Sequence, residues 1–256
     1  MSRFFSSILS TLSAGALLCQ AADKNDHRVP VLLELFTSEG CSSCPPADQL
    51  LQDWDQKQPI AGADLIVLSE HVDYWNRLGW KDSFSSAQFS GRQHDYTEKY
   101  RLDGVYTPQL VVDGRFGLVG SDSRAAMDAV RKALREQKIP ISISKAARNG
   151  SQVTAHIELL APTQSGKNSR AVLYAALADN RAESQVRTGE NAGRSLAHVG
   201  VARVLKQIGS VNLGDTFASE LALTLPSGAG ASGLRLVVFL QDVRSGQILG
   251  VAAETL

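Results

Sequence analysis

The spacing of apolar residues changes repeatedly along the chain, and each change marks an element. Val31, Leu32, Leu33, Leu35 and Phe36 form an apolar run interrupted by Glu34 alone, the pattern of a central strand covered on both faces. Ala47, Leu50, Leu51 and Trp54 then recur at helical spacing. Pro45 and Pro46 open that helix, where backbone N–H groups have no intrahelical partner. Leu65, Ile66, Val67 and Leu68 predict a second buried strand. A loop rich in aromatic and charged residues follows, then a helix over residues 86–100 with Phe89, Tyr96 and Tyr100 inward. Residues 107–112 and 115–119 flank Asp113-Gly114, a pair that tolerates positive φ and so predicts a hairpin. Ser121 caps a last helix carrying Met127, Val130 and Leu134 on one face. Strands separated by helices imply a parallel pair joined by a crossover, with the hairpin adding antiparallel strands.

The pattern changes at Ile139-Pro140. Residues 141–145 and 152–160 alternate around Arg148-Asn149-Gly150, a second hairpin signal. Further β-like runs cover 171–178, 202–208, 218–225, 234–240 and 247–252, with polar Gly/Ser connections and no helical period. Short strands in that order predict an all-β antiparallel sandwich over 139–256. Ahead of everything, Arg3 precedes residues 4–18, apolar apart from small serines and a threonine, and Cys19-Gln20-Ala21 ends on a small residue. This is the pattern of a signal peptide over residues 1–21, with an apolar core shorter than the ~20 residues a span requires. Leu18 stands where a lipid-anchoring site at Cys19 would need a smaller residue. The expected setting is periplasmic or secreted, without membrane association once the signal is removed.

Composition narrows the classes of function. At 43% hydrophobic and 20% charged, the 256 residues can bury a core. A formal net charge of zero disfavours nucleic acid or an anionic membrane as partner, because both attract basic surfaces. Of three cysteines, Cys19 leaves with the signal, so the mature chain keeps Cys41 and Cys44. A bridge between them closes too small a loop to stabilise much, which suits chemistry better than stapling.

Cys41-Ser42-Ser43-Cys44 lies between a strand and a helix start. Unpaired N–H groups and the helix dipole favour a thiolate there. Such a thiolate attacks a substrate disulfide, and a second thiol nearby resolves the mixed disulfide. Ser42 and Ser43 are placed to donate to it, while Glu39 opposes it modestly. Two other readings stay open at this point: an inert disulfide, and a metal site of two thiolates plus a histidine. No second cysteine pair exists to close a zinc site. Thr107-Pro108 is the other anchor, since a proline opening a strand removes a ladder donor.

The strand–CxxC–Pro–helix unit, the X-Pro hairpin and the last helix resemble the thioredoxin superfamily over residues 29–138. More narrowly, Leu35-Phe36-Thr37-Ser38-Glu39-Gly40-Cys41-Ser42-Ser43-Cys44-Pro45-Pro46-Ala47-Asp48 resembles a secreted bacterial family catalogued as a domain of unknown function. So do His71-Val72-Asp73-Tyr74-Trp75, Leu78-Gly79-Trp80-Lys81-Asp82 and Val105-Tyr106-Thr107-Pro108-Gln109. The resemblance implies an α/β thioredoxin-like N-terminal domain followed by the sandwich. It implies Cys41 as attacking thiol, Cys44 as resolving thiol and Pro108 as a cis-proline beside Thr107. Ser-Ser between the cysteines departs from better-known relatives, so their redox poise does not transfer. Leu35 stands where thioredoxins hold a buried acid, and Glu34 fills that role only if the following loop has one extra residue.

His71 and Asp73 follow the second strand, at the end of the sheet where ligands bind. His71 either supports the thiolate, completes a metal site or packs in its loop. Trp75 and Trp80 offer an apolar rim for a peptide or pack likewise. His27 and His94 read as solvent-facing, and Asn191, Arg194 and His198 as a polar loop of the second domain that either reaches the active site or simply connects two strands. The leading expectation is an exported thiol–disulfide oxidoreductase acting on protein or peptide thiols and disulfides, with no cofactor and no bound metal. The rivals are a copper-binding module and a binding protein without chemistry. The redox reading requires sulfurs reachable from solvent and Pro108 facing them.

Overall fold

The computed structural model describes residues 28–159 and 170–256. The expected signal peptide and His27 lie outside those residues. β1 (Val29–Thr37) is buried on both faces from Val31 onward. Its alternation sorts the side chains: Val31, Leu33 and Leu35 join one core and Leu32 and Phe36 the other side. α1 (Pro45–Lys57) lays Ala47, Leu51 and Trp54 on the first side. It leads to β2 (Ala63–His71), parallel to β1 from Val29↔Ala63 to Thr37↔His71. A 3₁₀ turn (Asn76–Leu78) precedes α2 (Ala87–Tyr100), whose Phe89 and Tyr96 cover the opposite side. Ser86 caps α2 by accepting from the Gln88 N–H. β3 (Gln109–Val112) and β4 (Phe116–Val119) form the Asp113-Gly114 hairpin on the other edge of β1. α3 (Ser123–Ala133) packs Ala126, Ala129 and Val130 beside α1.

The second half departs from expectation. β5 (Ile141–Asn149), β6 (Gln152–Leu159) and β9 (Phe217–Thr224) form a three-stranded sheet. β7 (Arg170–Gln185), β8 (Ser195–Asn212), β10 (Leu234–Asp242) and β11 (Ile248–Thr255) instead join the first-half strands. One eight-stranded mixed sheet results, in the order β11-β10-β7-β8-β2-β1-β3-β4. The expected architecture, an α/β thioredoxin-like domain followed by an antiparallel sandwich, is therefore incorrect. The small sheet packs Val153, Ile157 and Leu221 against Leu173, Leu177 and Leu236 of β7 and β10.

The physical reason is the free edge of β2. A parallel pair alone would leave that edge's N–H and C=O groups unpaired, which folded proteins avoid. β8 takes the edge, with Ser69 opposite Val201 and the Ser69 hydroxyl donating to Val199 O (2.8 Å). Gly200 permits the approach: its φ is +57°, and a Cβ there would lie 2.5 Å from Val67 O. The other end of the sheet curls round until Ile248 N–H donates to Asp113 O (2.9 Å). Gly200→Ala should therefore destabilise the whole chain by about 2–4 kcal/mol, through positive φ and backbone overlap. A single cooperative urea transition shifted to lower denaturant is the expected result; a first half unfolding unchanged would separate the two halves.

Candidate functional site

The turn carrying the two cysteines is built by backbone bonds. Cys41 N–H donates to Ser38 O (3.1 Å) and Cys44 N–H to Cys41 O (3.2 Å), while Cys44 O accepts from Ala47 and Asp48 at the start of α1. Cys44 is the N-cap of α1, with proline in the first turn. The two cysteines form a disulfide, Cα–Cα 5.4 Å. Ser42 and Ser43 are exposed, but both cysteines are 0% exposed. The requirement of solvent-reachable sulfurs is not met in this arrangement.

Pro108 lies across from the helix start. The Thr107–Pro108 bond is cis, Ser43 Oγ donates to Thr107 O (3.4 Å), and Ser43 Oγ sits 3.4 Å from Cys41 Sγ. Trp75 Nε1 donates to Thr107 Oγ1 (2.8 Å), so this indole braces the proline loop. Trp80 Nε1 donates to Glu39 Oε2 (2.7 Å). Asp73 turns away: it accepts from the Ser90 hydroxyl of α2 (2.5 Å). Glu34 is also elsewhere. Period-two alternation puts Glu34 and Glu70 on the α2 side of the sheet, opposite the helix that carries the disulfide. There Arg92 Nε donates to Glu34 Oε1 (2.6 Å), Tyr96 hydroxyl to Glu34 Oε2 (2.6 Å), and Arg92 Nη1 to Gln241 (3.1 Å). Burial and the Glu34 charge hold the Glu70 carboxyl well above its usual range. Glu34 thus does not meet the resolving cysteine.

His71, one residue further along β2, falls on the α1 side and is wholly buried. Its Nδ1 meets Asp82 Oδ2 (2.7 Å), and Asp82 also accepts from the N–H groups of Glu39 and Phe84 (2.9 Å each). Burial would lower the imidazole's pKa, but Asp82, with Asp48 and Glu39 beyond it, raises it. Burial would raise Asp82, but the His71 charge and these hydrogen bonds lower it. His198 of β8 packs edge-on to His71, ring centroids 4.6 Å apart. Its Nε2 lies 3.8 Å from Glu39 Oε1 and its Nδ1 3.5 Å from Asp48 Oδ1. Glu39 Oε1, both Asp48 oxygens, His71 Nε2 and both His198 nitrogens are buried without a hydrogen bond. Two imidazoles and three carboxylates thus pack together beside the cysteine turn, Glu39 from two residues before Cys41 and Asp48 from four residues after Cys44. Among the described residues, no three His, Cys, Asp or Glu side chains are arranged to hold a metal ion.

The loop of residues 186–194, between β7 and β8, closes over the cysteine turn. Asn191 Nδ2 donates to both Glu39 O and Cys41 O (2.9 Å each), and Glu190 Oε2 accepts from Ser42 N–H (3.0 Å). Thr188 hydroxyl donates to Gly79 O, and Arg194 donates to Asn191 Oδ1 (3.1 Å). Asn191, Arg194 and His198 read from the sequence as a polar loop that either reaches the active site or merely joins two strands; Asn191 bonds to the cysteine turn and His198 lies by Glu39 and Asp48, beside it. The sequence assigns Asp82 and Asp48 no part in the site and gives Glu39 only a modest charge effect on the thiolate. Asp48 carried a signal, a carboxylate between Ala47 and Leu51 on the face that α1 buries.

The sequence profile described as "Protein of unknown function (DUF1223)" matches residues 32–241. This chain belongs to the DUF1223 family. The family match spans the cysteine turn, the histidine cluster and the covering loop. An X-ray structure of an Agrobacterium tumefaciens protein, from the Northeast Structural Genomics Consortium, is 29% identical with TM-score 0.63. It covers 90% of this DUF1223 chain and 94% of its own. HBP35 of Porphyromonas gingivalis gives TM-score 0.66 at 14% identity, covering 90% of this chain and 76% of that one. At that identity the likeness concerns fold alone. No curated protein matches the chain.

Two outcomes follow for the buried charges. Glu34→Gln should lower stability by about 3 kcal/mol, because Arg92 keeps a buried charge with less to balance it. The same variant should change the folded protein's rate of disulfide reduction by less than about twofold, since Glu34 lies across the sheet from the cysteines. For His71 and Asp82 the signs differ. The His71 contribution is complete below the unfolded imidazole value of about 6.5 and fades as pH rises through the raised folded value. The Asp82 contribution is present above about 3.9 and is lost as pH falls through the lowered folded value. Asp82→Asn should cost about 3 kcal/mol near pH 5.5, with the gap narrowing at alkaline pH, in urea melts run as a pH series.

Proposed function

We propose that this chain is a thiol–disulfide exchange protein acting through Cys41 and Cys44 on protein or peptide thiols. The observation that carries the reading is the solvent-free group of His71, His198, Glu39, Asp48 and Asp82 packed beside the short turn that holds the bridge. Buried polar atoms without partners are costly and cluster where chemistry is done. A mere staple does not require them. An exported setting, inferred from the N-terminal pattern, suits a chain that keeps two cysteines as a disulfide.

In the exchange, a partner thiolate attacks Cys41, the Cys41–Cys44 bond breaks and Cys44 leaves as a thiolate. The partner's second thiol then displaces Cys41 from the mixed disulfide, so the partner is oxidised as the pair is reduced. Ser43 is placed to donate to the Cys41 sulfur as charge develops there. Because both sulfurs are covered, attack requires residues 186–194 to move. That motion breaks the Asn191, Glu190 and Thr188 contacts, each worth about 0.5–1.5 kcal/mol net. Local opening of a few kcal/mol is within the range of native loops.

The zero exposure of both cysteines favours a second reading, an inert disulfide in a binding protein. Reduction by dithiothreitol separates the two. Exchange through local opening predicts reduction of the native protein at a rate insensitive to low urea, and about tenfold faster in an Asn191→Ala, Glu190→Ala double variant. Cys41→Ser should abolish catalysed reduction of a peptide disulfide. A bridge that yields only as the protein globally unfolds, with no acceleration in the double variant, would leave the inert reading standing.

A further inference from the structure

The Cys41–Cys44 chemistry just described leaves a requirement unmet: something beside the pair must hold a proton. Reduction by a dithiol breaks one S–S bond here and forms one in the partner; two electrons pass to the cysteines, and because the partner attacks as a thiolate and Cys41 leaves as one, a single proton must pass from the partner's second thiol to Cys44. Along the way Cys44 leaves as a thiolate and needs a proton. The partner's second thiol must lose one before it can displace Cys41. A group that gives a proton in the first step and takes one in the second returns to its starting state.

We propose that His198, with the Glu39 and Asp48 carboxylates on either side of it, is that proton-holding group. The inference rests on the redox reading and adds to it a role for a residue from the second half of the chain. His198 is positioned for it by three elements. Glu39 faces it from the turn two residues before Cys41 (3.8 Å). Asp48 faces it from the first turn of α1, four residues after Cys44 (3.5 Å), and its N–H donates to Cys44 O (3.1 Å). His71 faces it from the end of β2 with Asp82 behind, and the Phe84 ring closes that side (centroids 6.1 Å). Arg203 lies over Phe84 and is paired to Asp179.

The separations explain why the group is suited to move a proton rather than to fix one. At 3.5 and 3.8 Å without hydrogen-bond geometry, neither imidazole nitrogen is committed to a carboxylate. His71 differs: its bond to Asp82 fixes it, and its pKa is raised. A proton on His198 has two carboxylates to choose between, and both flank the cysteine turn. Coupling must run both ways, because a charge on the cysteines that alters His198 is altered by His198 to the same extent.

The test uses the whole chain in its oxidised and dithiothreitol-reduced forms. His198 ring resonances, assigned by their loss in His198→Asn, are titrated by NMR in both forms. The expected result is a His198 ring signal whose pH dependence differs between the two forms, as a neighbouring thiolate favours imidazolium. In His198→Asn, and independently in His198→Gln should the first variant fold poorly, the thiolate absorbance of the reduced protein should appear about one pH unit higher than in wild type, because an imidazolium no longer offsets the thiolate charge. Identical His198 titrations in the two forms, or thiolate curves that superpose on wild type, would overturn the proposal while leaving exchange intact. Failure of the native pair to react with dithiothreitol at all would instead remove the redox reading, and this inference with it.

Discussion

The parallel contact of β8 with β2 is the constraint on which the rest depends. It occurs where Gly200 lets one backbone reach another, beside Ser69. That contact covers an edge the first half would otherwise leave open, and it carries the long β7–β8 ribbon along with it. From it follow the single eight-stranded sheet, the loop closed over the cysteine turn and the placement of His198 between Glu39 and Asp48. Without it, the disulfide would belong to a small α/β unit with an exposed site.

Two groups of buried charge lie on opposite sides of that sheet, and they differ in kind. On the α2 side, Arg92 is bonded to Glu34, Gln241 and the Tyr96 hydroxyl and stacks against aromatic rings. Glu70 and the Tyr100 hydroxyl lack a hydrogen bond there, and burial with the Glu34 charge holds the Glu70 carboxyl well above its usual range. This is a largely satisfied network that locks α2 onto the sheet. On the α1 side, His198, Asp48 and one oxygen of Glu39 are close to one another yet unbonded. A network left open in this way adds little to stability, and it is there that the proposed proton transfer is placed.

The loop of residues 186–194 is held on the cysteine turn in a particular way. Its contacts are hydrogen bonds to turn backbone rather than apolar packing, so they can be exchanged for contacts with a partner chain or water at modest cost.

Local signals in the sequence were sufficient for the elements. Apolar runs with period two or 3.6 marked β1, β2, α1 and α2, and Asp113-Gly114 marked the β3–β4 hairpin, because side-chain spacing and turn conformations are set within a few residues. The cysteine turn at the start of a proline-opened helix was legible for the same reason. Partner choice was not. Nothing within β8 states that it pairs with β2, since pairing is decided by which edge is free and how closely backbones approach across 130 residues of separation. Glu34 shows the limit at a single residue: its place in the strand was clear, yet only the tertiary structure put it across the sheet from the disulfide and gave it Arg92. The sequence by itself determined the strands, helices and the two sulfurs; long-range packing decided what surrounds them, because burial and charge pairing are properties of neighbours rather than of position along the chain.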